Sequence, residues 1–440
     1  MEPMIVNVVE KVDILRSVGG SRKRSLEDAV TLKTKEDDMK ILTNNTVSLE
    51  EYLTINSRNS PFNDRIVGFI SAFTKNILSN KELRQYPDII SLAFWMRDKN
   101  IQDLKMQFFD RYPNRVACGT ACHFAPSNVD TIFIYSLFIS LLLGNKNVVR
   151  VSFKNSEEKN ILIDEVNNTI QNGFEDILNY LIIVTYPHNE NITRGISKKS
   201  DLRVIWGGDN AVKEISRIQL PTTSNEIKFA NKYSLAVVKA SEIALLKKNA
   251  CRDLAAKLAN DIYWFGQQGC SSPKTILWYN DIKDTDLEQV KNCFYQELVE
   301  VAKSKFIHEI QDSDYINKIV ACDEMAVKVK EGRIIESAGL LTRFVVDDDN
   351  GHNFIRSLNC GSGLILEMDI KDLNVLTRLM DRTTQTITYF GFDKNEISCV
   401  FDQNNIYPDR LVPIGKALEF STIWDGYDLL VSMTRGVFYE

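Results

Sequence analysis

Short apolar runs alternate with amphipathic segments from residue 115 to residue 390. Arg115–His123 is predicted to be a strand, and the apolar run Thr131–Leu143 is predicted to be a buried helix. Further strands are predicted at Asn147–Ser152, Leu181–Thr185, Leu202–Trp206, Tyr233–Val238, Thr275–Tyr279, Gly363–Met368 and Thr386–Phe390, and further helices at Glu157–Asn172, Ala211–Ile218, Asn249–Phe265, Asp286–Lys303 and Ile370–Met380. Because strands and helices alternate, we expect an α/β fold with parallel sheets built from βαβ units.

The first 110 residues are more polar and are predicted to be mainly helical. Arg65–Leu78 and Asp98–Phe109 carry apolar residues at helical spacing, whereas Ser21–Arg24 and Lys33–Lys40 are charged segments. A chain of 440 residues is long for a single core, so several subdomains are expected. We divide it into a helical region at 1–110, α/β regions at 111–232 and 233–405, and a C-terminal segment at 406–440.

Charge and composition exclude several classes of function. The net charge of −6 and the lack of a long basic stripe give no reason to expect a nucleic-acid partner. Thr131–Leu143, the longest apolar stretch, is too short to span a bilayer, and Met1–Arg16 does not have the pattern of a secretory signal. The eight cysteines have no paired spacing, so we expect free thiols in a cytoplasmic enzyme.

Cys270 is the residue with the clearest chemical potential. It follows Gln267-Gln268-Gly269 and precedes Ser271-Ser272-Pro273, between a predicted helix and a predicted strand. A thiol on a glycine-flanked turn can reach a substrate carbonyl, which a cysteine packed in a core cannot do. A thiolate attacks thioesters and aldehydes and forms an acyl-enzyme. The alternative is an unreactive cysteine in a loop.

Asn128 and the Gly207-Gly208-Asp209 turn are candidate binding groups, each with a structural alternative. The Asn128 carboxamide, at the start of a predicted helix, can donate an N–H to a developing oxyanion, but asparagine is also a favoured N-cap. Glycines between a strand and a helix allow a pyrophosphate to approach the helix N-terminus. An ordinary βα turn with Asp209 as N-cap is the alternative.

Three further groups carry weaker indications. Arg150 and Lys154, at the C-terminal end of the second strand, stand where an adenosine ribose or its 2′-phosphate would lie, or they are surface cations. A metal site at Cys118, Cys122 and His123 is disfavoured because no second ligand pair accompanies them. The aromatic segment Trp424–Asp428 is more typical of packing than of a binding edge.

Six ordered segments together resemble the acyl-CoA reductase family, which includes the reductase of bacterial luminescence. The segments are His123–Val129, Gly144–Arg150, Trp206–Asp209, Gln267–Pro273, Val412–Gly415 and Trp424–Asp428. That family is in turn similar to the aldehyde dehydrogenases. The resemblance extends from about residue 115 to the C-terminus, and the N-terminal hundred residues match only loosely.

The resemblance implies an aldehyde dehydrogenase-like architecture. In this architecture 111–232 is a Rossmann-type nicotinamide-dinucleotide domain, 233–405 is the catalytic domain bearing Cys270, and a small element serves oligomerisation. It places Cys270 at the nucleophile position and Asn128 at the oxyanion position. The cofactor contacts implied are Arg150, Ser152, Gly207, Gly208 and Asp209.

One departure from the aldehyde dehydrogenases affects the direction of the reaction. Those enzymes use a glutamate to activate the water that hydrolyses the acyl-enzyme, and alignment on Lys232 puts Lys228 at that position. Glu226 lies two residues earlier, on the same face if this segment is a strand. If neither residue activates water, the thioester survives long enough to receive hydride.

The resulting hypothesis is a reductase that converts an activated long-chain fatty acyl group into a fatty aldehyde through a Cys270 acyl-enzyme. The expected cofactor is NADPH, with NADH as the other possibility, because a guanidinium at Arg150 suits a 2′-phosphate. Expected partners are the fatty acyl thioester, an acyl-protein synthetase and further copies of the chain. The alternatives are an aldehyde dehydrogenase working oxidatively and a non-catalytic acyl-binding homologue.

Overall fold

The computed structural model describes residues 39–307, 310–329, 332–337, 339–347 and 349–440. Ser21–Arg24, most of Lys33–Lys40 and the rest of the first 38 residues lie outside the described residues. Among the described residues, four α-helices lie between residues 41 and 115: α1 (Leu49–Thr54), α2 (Asp64–Ser79), α3 (Pro87–Trp95) and α4 (Asp98–Arg111). The positions of α2 and α4 agree with the apolar spacing at Arg65–Leu78 and Asp98–Phe109.

The N-terminal helices share a hydrophobic core with the first α/β region. Phe69 and Phe73 of α2 both pack edge-on against Phe138, with ring centroids 5.9 and 4.9 Å apart. These residues belong to one buried cluster that also contains the first-sheet residues Val149 and Val204. Helices α2–α4 therefore complete the core of the first sheet.

The first predicted strand is interrupted at Gly119, which has a φ of +134°. It forms β1 (Arg115–Ala117) and β2 (Thr120–Phe124) instead of one continuous strand. The strands that follow are β3 (Lys146–Val151), β4 (Leu181–Thr185), β5 (Leu202–Trp206) and β6 (Asn225–Phe229). The helices between them are α5 (Ile132–Leu142), α6 (Glu157–Gln171), α7 (Glu190–Ser197) and α8 (Asp209–Ser216).

Five of these strands pair in parallel in the order β4-β3-β2-β5-β6. The order reverses between β2 and β5, because the chain first builds outwards on one side of β2 and then returns to the other side. In open α/β sheets, ligands bind beyond the carboxyl ends of the strands at such a reversal. The segments that follow β2 and β5 are the ones that carry Asn128 and Gly207.

The second sheet has seven strands in the order β9-β10-β11-β8-β7-β12-β13. In chain order they are β7 (Tyr233–Lys239), β8 (Pro273–Tyr279), β9 (Arg333–Ser337), β10 (Leu341–Val345), β11 (Leu364–Ile370), β12 (Thr384–Phe390) and β13 (Arg410–Pro413). All pairs are parallel except the β9–β10 hairpin. Buried apolar clusters cover both faces, as expected of a parallel sheet.

Helices in this part of the chain are α9 (Ala240–Ala244), α10 (Lys248–Tyr263), α11 (Asp284–Lys305), α12 (Asp312–Lys328), α13 (Asp349–Ile355), α14 (Asn374–Leu379), α15 (Lys394–Asn404) and α16 (Leu429–Ser432). The helix predicted at Ile370–Met380 is wrong in its first part, because Ile370 ends a strand. The sequence pattern also missed α12, α15 and the β9–β10 hairpin.

The C-terminal segment contacts both sheets. β13 lies at the edge of the second sheet, and then come the short strands β14 (Ile423–Trp424), β15 (Tyr427–Asp428) and β16 (Thr434–Gly436). β14 and β15 form a hairpin, while β16 pairs antiparallel with β1. Among the described residues, no helix combines the length and the apolar character needed to cross a membrane.

Candidate active site

A large cavity lies at the carboxyl ends of β2 and β5 and extends to the turn before β8. Its volume is about 1080 Å³. Five of the residues selected from the sequence line it: Asn128, Gly207, Gly208, Asp209 and Cys270. The fold therefore brings together three segments that are widely separated in the sequence.

The turn that carries Cys270 has an unusual backbone. After α10 the chain forms a 3₁₀ turn at Trp264–Gln267, in which Phe265, Gly266 and Gln267 all have positive φ, at 56°, 56° and 62°. The buried Gln267 side chain holds this conformation: its Nε2 donates to the carbonyl of Pro273 at 2.8 Å, and its Oε1 accepts from the N–H of Gly363 at 2.9 Å. Strained backbone of this kind persists only where surrounding contacts impose it.

A second turn, Asn359–Gly363, anchors the cysteine turn from β11. The Gln268 Nε2 donates to the carbonyl of Cys360 at 2.8 Å, and the N–H of Ser362 donates to the carbonyl of Gly266 at 2.9 Å. Gly361 has a φ of +84°, and a Cβ there would lie 2.6 Å from the Gln268 Nε2. This turn was not predicted from the sequence, although the Gly-Ser-Gly pattern at 361–363 is a recognisable turn indication.

Cys270 is half-buried, and its Sγ lies 3.9 Å from the carbonyl oxygen of Ala230. Burial raises the pKa of the Cys270 thiol, and the nearby negative charge of Asp425 raises it further. A hydrogen bond from the Lys232 N–H and the charges of Lys274 and Lys232 act in the opposite direction. The resting nucleophile is therefore a thiol, and it needs a proton acceptor before it can attack.

Two hydrogen-bond donors in the cavity lining have no partner among the described residues. The N–H of Cys270 itself makes no hydrogen bond there, and neither does the exposed side chain of Asn128. Asn128 does not cap α5, because the helix begins at Ile132 with Thr131 as its N-cap and no side-chain capping bond. Both donors belong to residues that line the cavity, so both are available to a ligand oxygen.

The glycine turn presents a second uncapped helix N-terminus to the cavity. Gly208, not Asp209, is the N-cap of α8, and no side chain caps the first turn. The Asp209 carboxylate is turned to Asn231, whose N–H donates to it at 3.1 Å. Free N–H groups at the start of a helix favour a phosphate. The free N–H groups at the start of α8 lie where the strand order reverses, so they fit the pyrophosphate of a dinucleotide.

Arg150 and Ser152 lie outside this cavity. The Arg150 Nη2 donates to the carbonyl of Tyr186 at 3.1 Å, and its guanidinium lies 5.3 Å from the centre of the Tyr186 ring. The Ser152 Oγ accepts from the N–H of Lys154 at 3.2 Å. Both residues stand at the end of β3, next to β2 in the sheet. Their role in cofactor binding stays a prediction.

The two residues considered in place of the missing glutamate also lie outside the cavity. Glu226 forms ion pairs with Arg203 and, at 2.8 Å, with Lys228. Although burial opposes it, the hydrogen bonds from Lys228 and Arg203 hold the pKa of Glu226 below its usual value. A carboxylate bound on both sides is a poor base, so neither residue is placed to activate a water molecule at Cys270.

His123 is a structural residue at the end of β2. Its Nδ1 is 2.7 Å from the Ser136 Oγ on α5, and its Nε2 is 3.0 Å from the Asn147 Oδ1 on β3. Burial lowers the pKa of His123 to about 4. Within the part of the chain that is described, there is no group of three or more side chains that could hold a metal ion.

An aromatic wall extends from the region of Cys270 towards helix α3. Phe420 stacks on Tyr135 at 4.3 Å and on Trp424 at 5.1 Å, and Trp95 meets Tyr135 edge-on at 5.6 Å. All four residues line the cavity. Trp424 was predicted to serve packing. The other three were not predicted from the sequence, because they come from three separate segments.

The fold defines the class of protein. A NAD-dependent benzaldehyde dehydrogenase from Corynebacterium glutamicum has a similar structure, with a TM-score of 0.57, 14% identity, and coverage of 88% of this chain and 85% of that one. Aldehyde dehydrogenase 21 from Physcomitrella patens is similar with a TM-score of 0.58, 10% identity, and coverage of 80% and 78%. The chain therefore has the aldehyde dehydrogenase fold, which confirms the predicted fold class.

The sequence defines the family within that fold. The family model described as acyl-CoA reductase (LuxC) matches residues 94–360, so this chain belongs to the acyl-CoA reductase family. No curated protein sequence matches the chain significantly. Family and fold together indicate an oxidoreductase that acts on acyl or aldehyde groups.

Proposed function

We propose that this protein reduces a long-chain fatty acyl thioester to a fatty aldehyde through a Cys270 acyl-enzyme, with NADPH as the reductant. The observation that carries the proposal is the cavity shared by Cys270, Asn128 and the Gly207-Gly208 turn. A nucleophile, an amide donor and a phosphate-binding turn in one space are what acyl transfer followed by hydride transfer requires. The acyl donor is either a CoA thioester or the acylated form of a synthetase partner.

The chain's own residues account for the acyl-transfer half of the reaction. The Cys270 Sγ attacks the thioester carbonyl, and the Asn128 carboxamide and the Cys270 N–H donate to the oxyanion. Each such donor is worth roughly 3 kcal/mol in the transition state. The Gln267 and Gln268 hydrogen bonds fix the turn, so the sulfur requires no reorganisation before attack.

A bound nicotinamide would supply hydride to the acyl-enzyme carbonyl. The uncapped N–H groups of Gly208 and Asp209 are the groups we assign to its pyrophosphate. Family membership and the position of Glu226 favour the reductive direction, because that carboxylate is paired with Arg203 and Lys228 outside the cavity. The acyl-enzyme then persists until hydride arrives.

The aromatic wall supports a long acyl chain as the substrate. Tyr135, Phe420, Trp424 and Trp95 present a continuous apolar surface along the cavity. Each buried methylene contributes about 0.8 kcal/mol, so chain length has a strong effect on affinity. The acyl carbonyl would then meet Cys270 with the chain directed towards α3.

The test is mass spectrometry of the intact protein after incubation with acyl-CoA and no cofactor. Wild type should gain the mass of one acyl group, and the addition of NADPH should remove it and release aldehyde. Cys270→Ser should gain no acyl mass, whereas Cys399→Ser, at an exposed cysteine that does not line the cavity, should behave as wild type. Acylation of Cys270→Ser would show that another residue is the nucleophile.

Oxidation of aldehydes is the competing activity, because the structural neighbours are aldehyde dehydrogenases. If oxidation were the activity of this protein, pure protein incubated with a fatty aldehyde and NADP⁺, without a thiol acceptor, would form acid rapidly. We expect slow acid formation, with acyl-CoA appearing when CoA is added. The unfolding temperature measured with and without NADPH separates both activities from a non-catalytic homologue. A ligand that binds the native protein must raise the stability of that protein.

A further inference from the structure

We propose that the Asp425 carboxylate takes the proton of the Cys270 thiol during acyl transfer and returns it to the departing thiolate. This assignment rests on the thioester reaction proposed above. It concerns a residue in the C-terminal segment that the sequence analysis attributed to packing. The aldehyde dehydrogenase-type glutamate is not available here, so the thiol needs another acceptor.

The backbone fixes the position of Asp425. It occupies the two-residue turn between β14 and β15, with φ of 49° at Asp425 and 78° at Gly426. Positive φ at both central residues is the type I′ turn that Asp-Gly favours in hairpins. A Cβ at Gly426 would lie 3.0 Å from an Asp409 carboxylate oxygen, so the turn can approach that residue only with glycine there.

One carboxylate oxygen is bound and the other is free. Asp425 is only 4% exposed, yet it lines the cavity together with Cys270 and Gln385. The Nε2 of the fully buried Gln385 donates to Oδ1, and Oδ2 accepts no hydrogen bond from any described residue. A buried carboxylate with one unoccupied oxygen at a cavity wall is placed to exchange a proton with a group in the cavity.

The charges around Asp425 suit this role. Burial raises the pKa of Asp425 to about 6, and Asp409 raises it too, while the hydrogen bond from Gln385 and the charges of Lys232 and Arg410 act against the shift. The negative charge of Asp425 in turn contributes to the raised pKa of Cys270. Asp425 and Cys270 therefore compete for one proton: when the thiol becomes a thiolate, the carboxyl is neutral.

The step balances without an external reagent. The S–H bond of Cys270 breaks as its proton moves to Asp425, directly or through one water molecule, and the sulfur forms a bond to the acyl carbon. The carbon–sulfur bond of the donor then breaks, and the leaving thiolate receives the proton from Asp425. A thiol enters and a thiol leaves, with no change of oxidation state.

The experiment compares two reactions of Cys270 in Asp425→Asn, both without cofactor. Asparagine tolerates positive φ and keeps an acceptor for Gln385, so the turn is retained. Acylation by acyl-CoA should slow about 100-fold, as loss of a general base does. Alkylation by iodoacetamide should become faster at pH 7, because removal of the negative charge lowers the pKa of the thiol.

Opposite changes in the two rates identify a base provided that Asp425→Asn unfolds at the wild-type temperature, because loss of structure would lower that temperature and expose the thiol to iodoacetamide. The control is Glu419→Gln, which removes an exposed carboxylate from the same cavity lining and should leave both rates within twofold. Faster or equal acylation in Asp425→Asn overturns the inference but leaves the proposed function intact. Absence of acylation in wild type overturns both.

A second variant tests the pH dependence. Wild-type acylation should decline as the pH falls below about 6, where Asp425 becomes protonated. Gln385→Met removes the hydrogen bond that stabilises the carboxylate, so the decline should begin at higher pH. An unchanged profile in Gln385→Met would contradict the assignment.

Discussion

Replacement of His123 by glutamine should change how the stability of the protein depends on pH. The Asn147 Nδ2 donates to the carbonyl of Asn145 at 2.7 Å. The Asn147 Oδ1 is therefore the atom that accepts a hydrogen bond from the His123 Nε2–H. The Trp206 Nε1 donates to the Ser136 Oγ at 3.1 Å, which leaves the Ser136 hydroxyl proton for the His123 Nδ1. The neutral imidazole thus uses both nitrogens, and a second proton has no acceptor.

The magnitude follows from the pKa of His123, which burial lowers to about 4. In the unfolded chain the pKa is about 6.5, so between these values the unfolded state binds a proton that the native state does not. This contribution to stability is complete above pH 6.5 and is lost as the pH falls towards 4. Between pH 7 and pH 5 it amounts to about 2 kcal/mol.

The assay is urea unfolding of wild type and His123→Gln at pH 7 and at pH 5. The variant should be less stable at pH 7, but its free energy of unfolding should decrease by about 2 kcal/mol less than that of wild type on going to pH 5. Other groups titrate equally in both proteins and cancel in this difference. Parallel pH dependences would show that His123 is not buried in its neutral form.

Three further predictions concern the site. Asn128→Ala should lower the rate of Cys270 acylation about 100-fold with little change in acyl-CoA affinity, and a rate within threefold of wild type would remove Asn128 from the oxyanion site. Trp95→Ala should lower kcat/KM for long acyl chains about tenfold, because the lost apolar contact is worth about 1.5 kcal/mol or more. It should leave kcat/KM for short acyl chains nearly unaffected. Equal losses for long and short chains would mean that the acyl chain does not reach α3. Arg150→Ala should raise the KM for NADPH more than the KM for NADH, whereas equal effects would place the adenosine elsewhere.

The sequence was sufficient to predict most of the parallel architecture. Strands such as Leu181–Thr185 and Leu202–Trp206 were predicted with their observed bounds, because strands buried on both faces are continuous apolar runs bounded by polar residues. Glycine and proline around Cys270 likewise identified its turn. The edge hairpin β9–β10 was missed because edge strands do not need an uninterrupted apolar pattern.

The sequence by itself determined the turn that carries Cys270, the alternation of strands and helices, and the family, since each depends on residues that are neighbours in the chain. Tertiary structure alone decided which of the candidates share a cavity: it united Cys270, Asn128 and the glycine turn, and left Arg150 and Glu226 bound to other partners. It also placed Asp425 among the residues that line the same cavity. Residues about 150 positions apart come together only through packing. Burial, and not residue type, sets the pKa of a carboxyl such as that of Asp425.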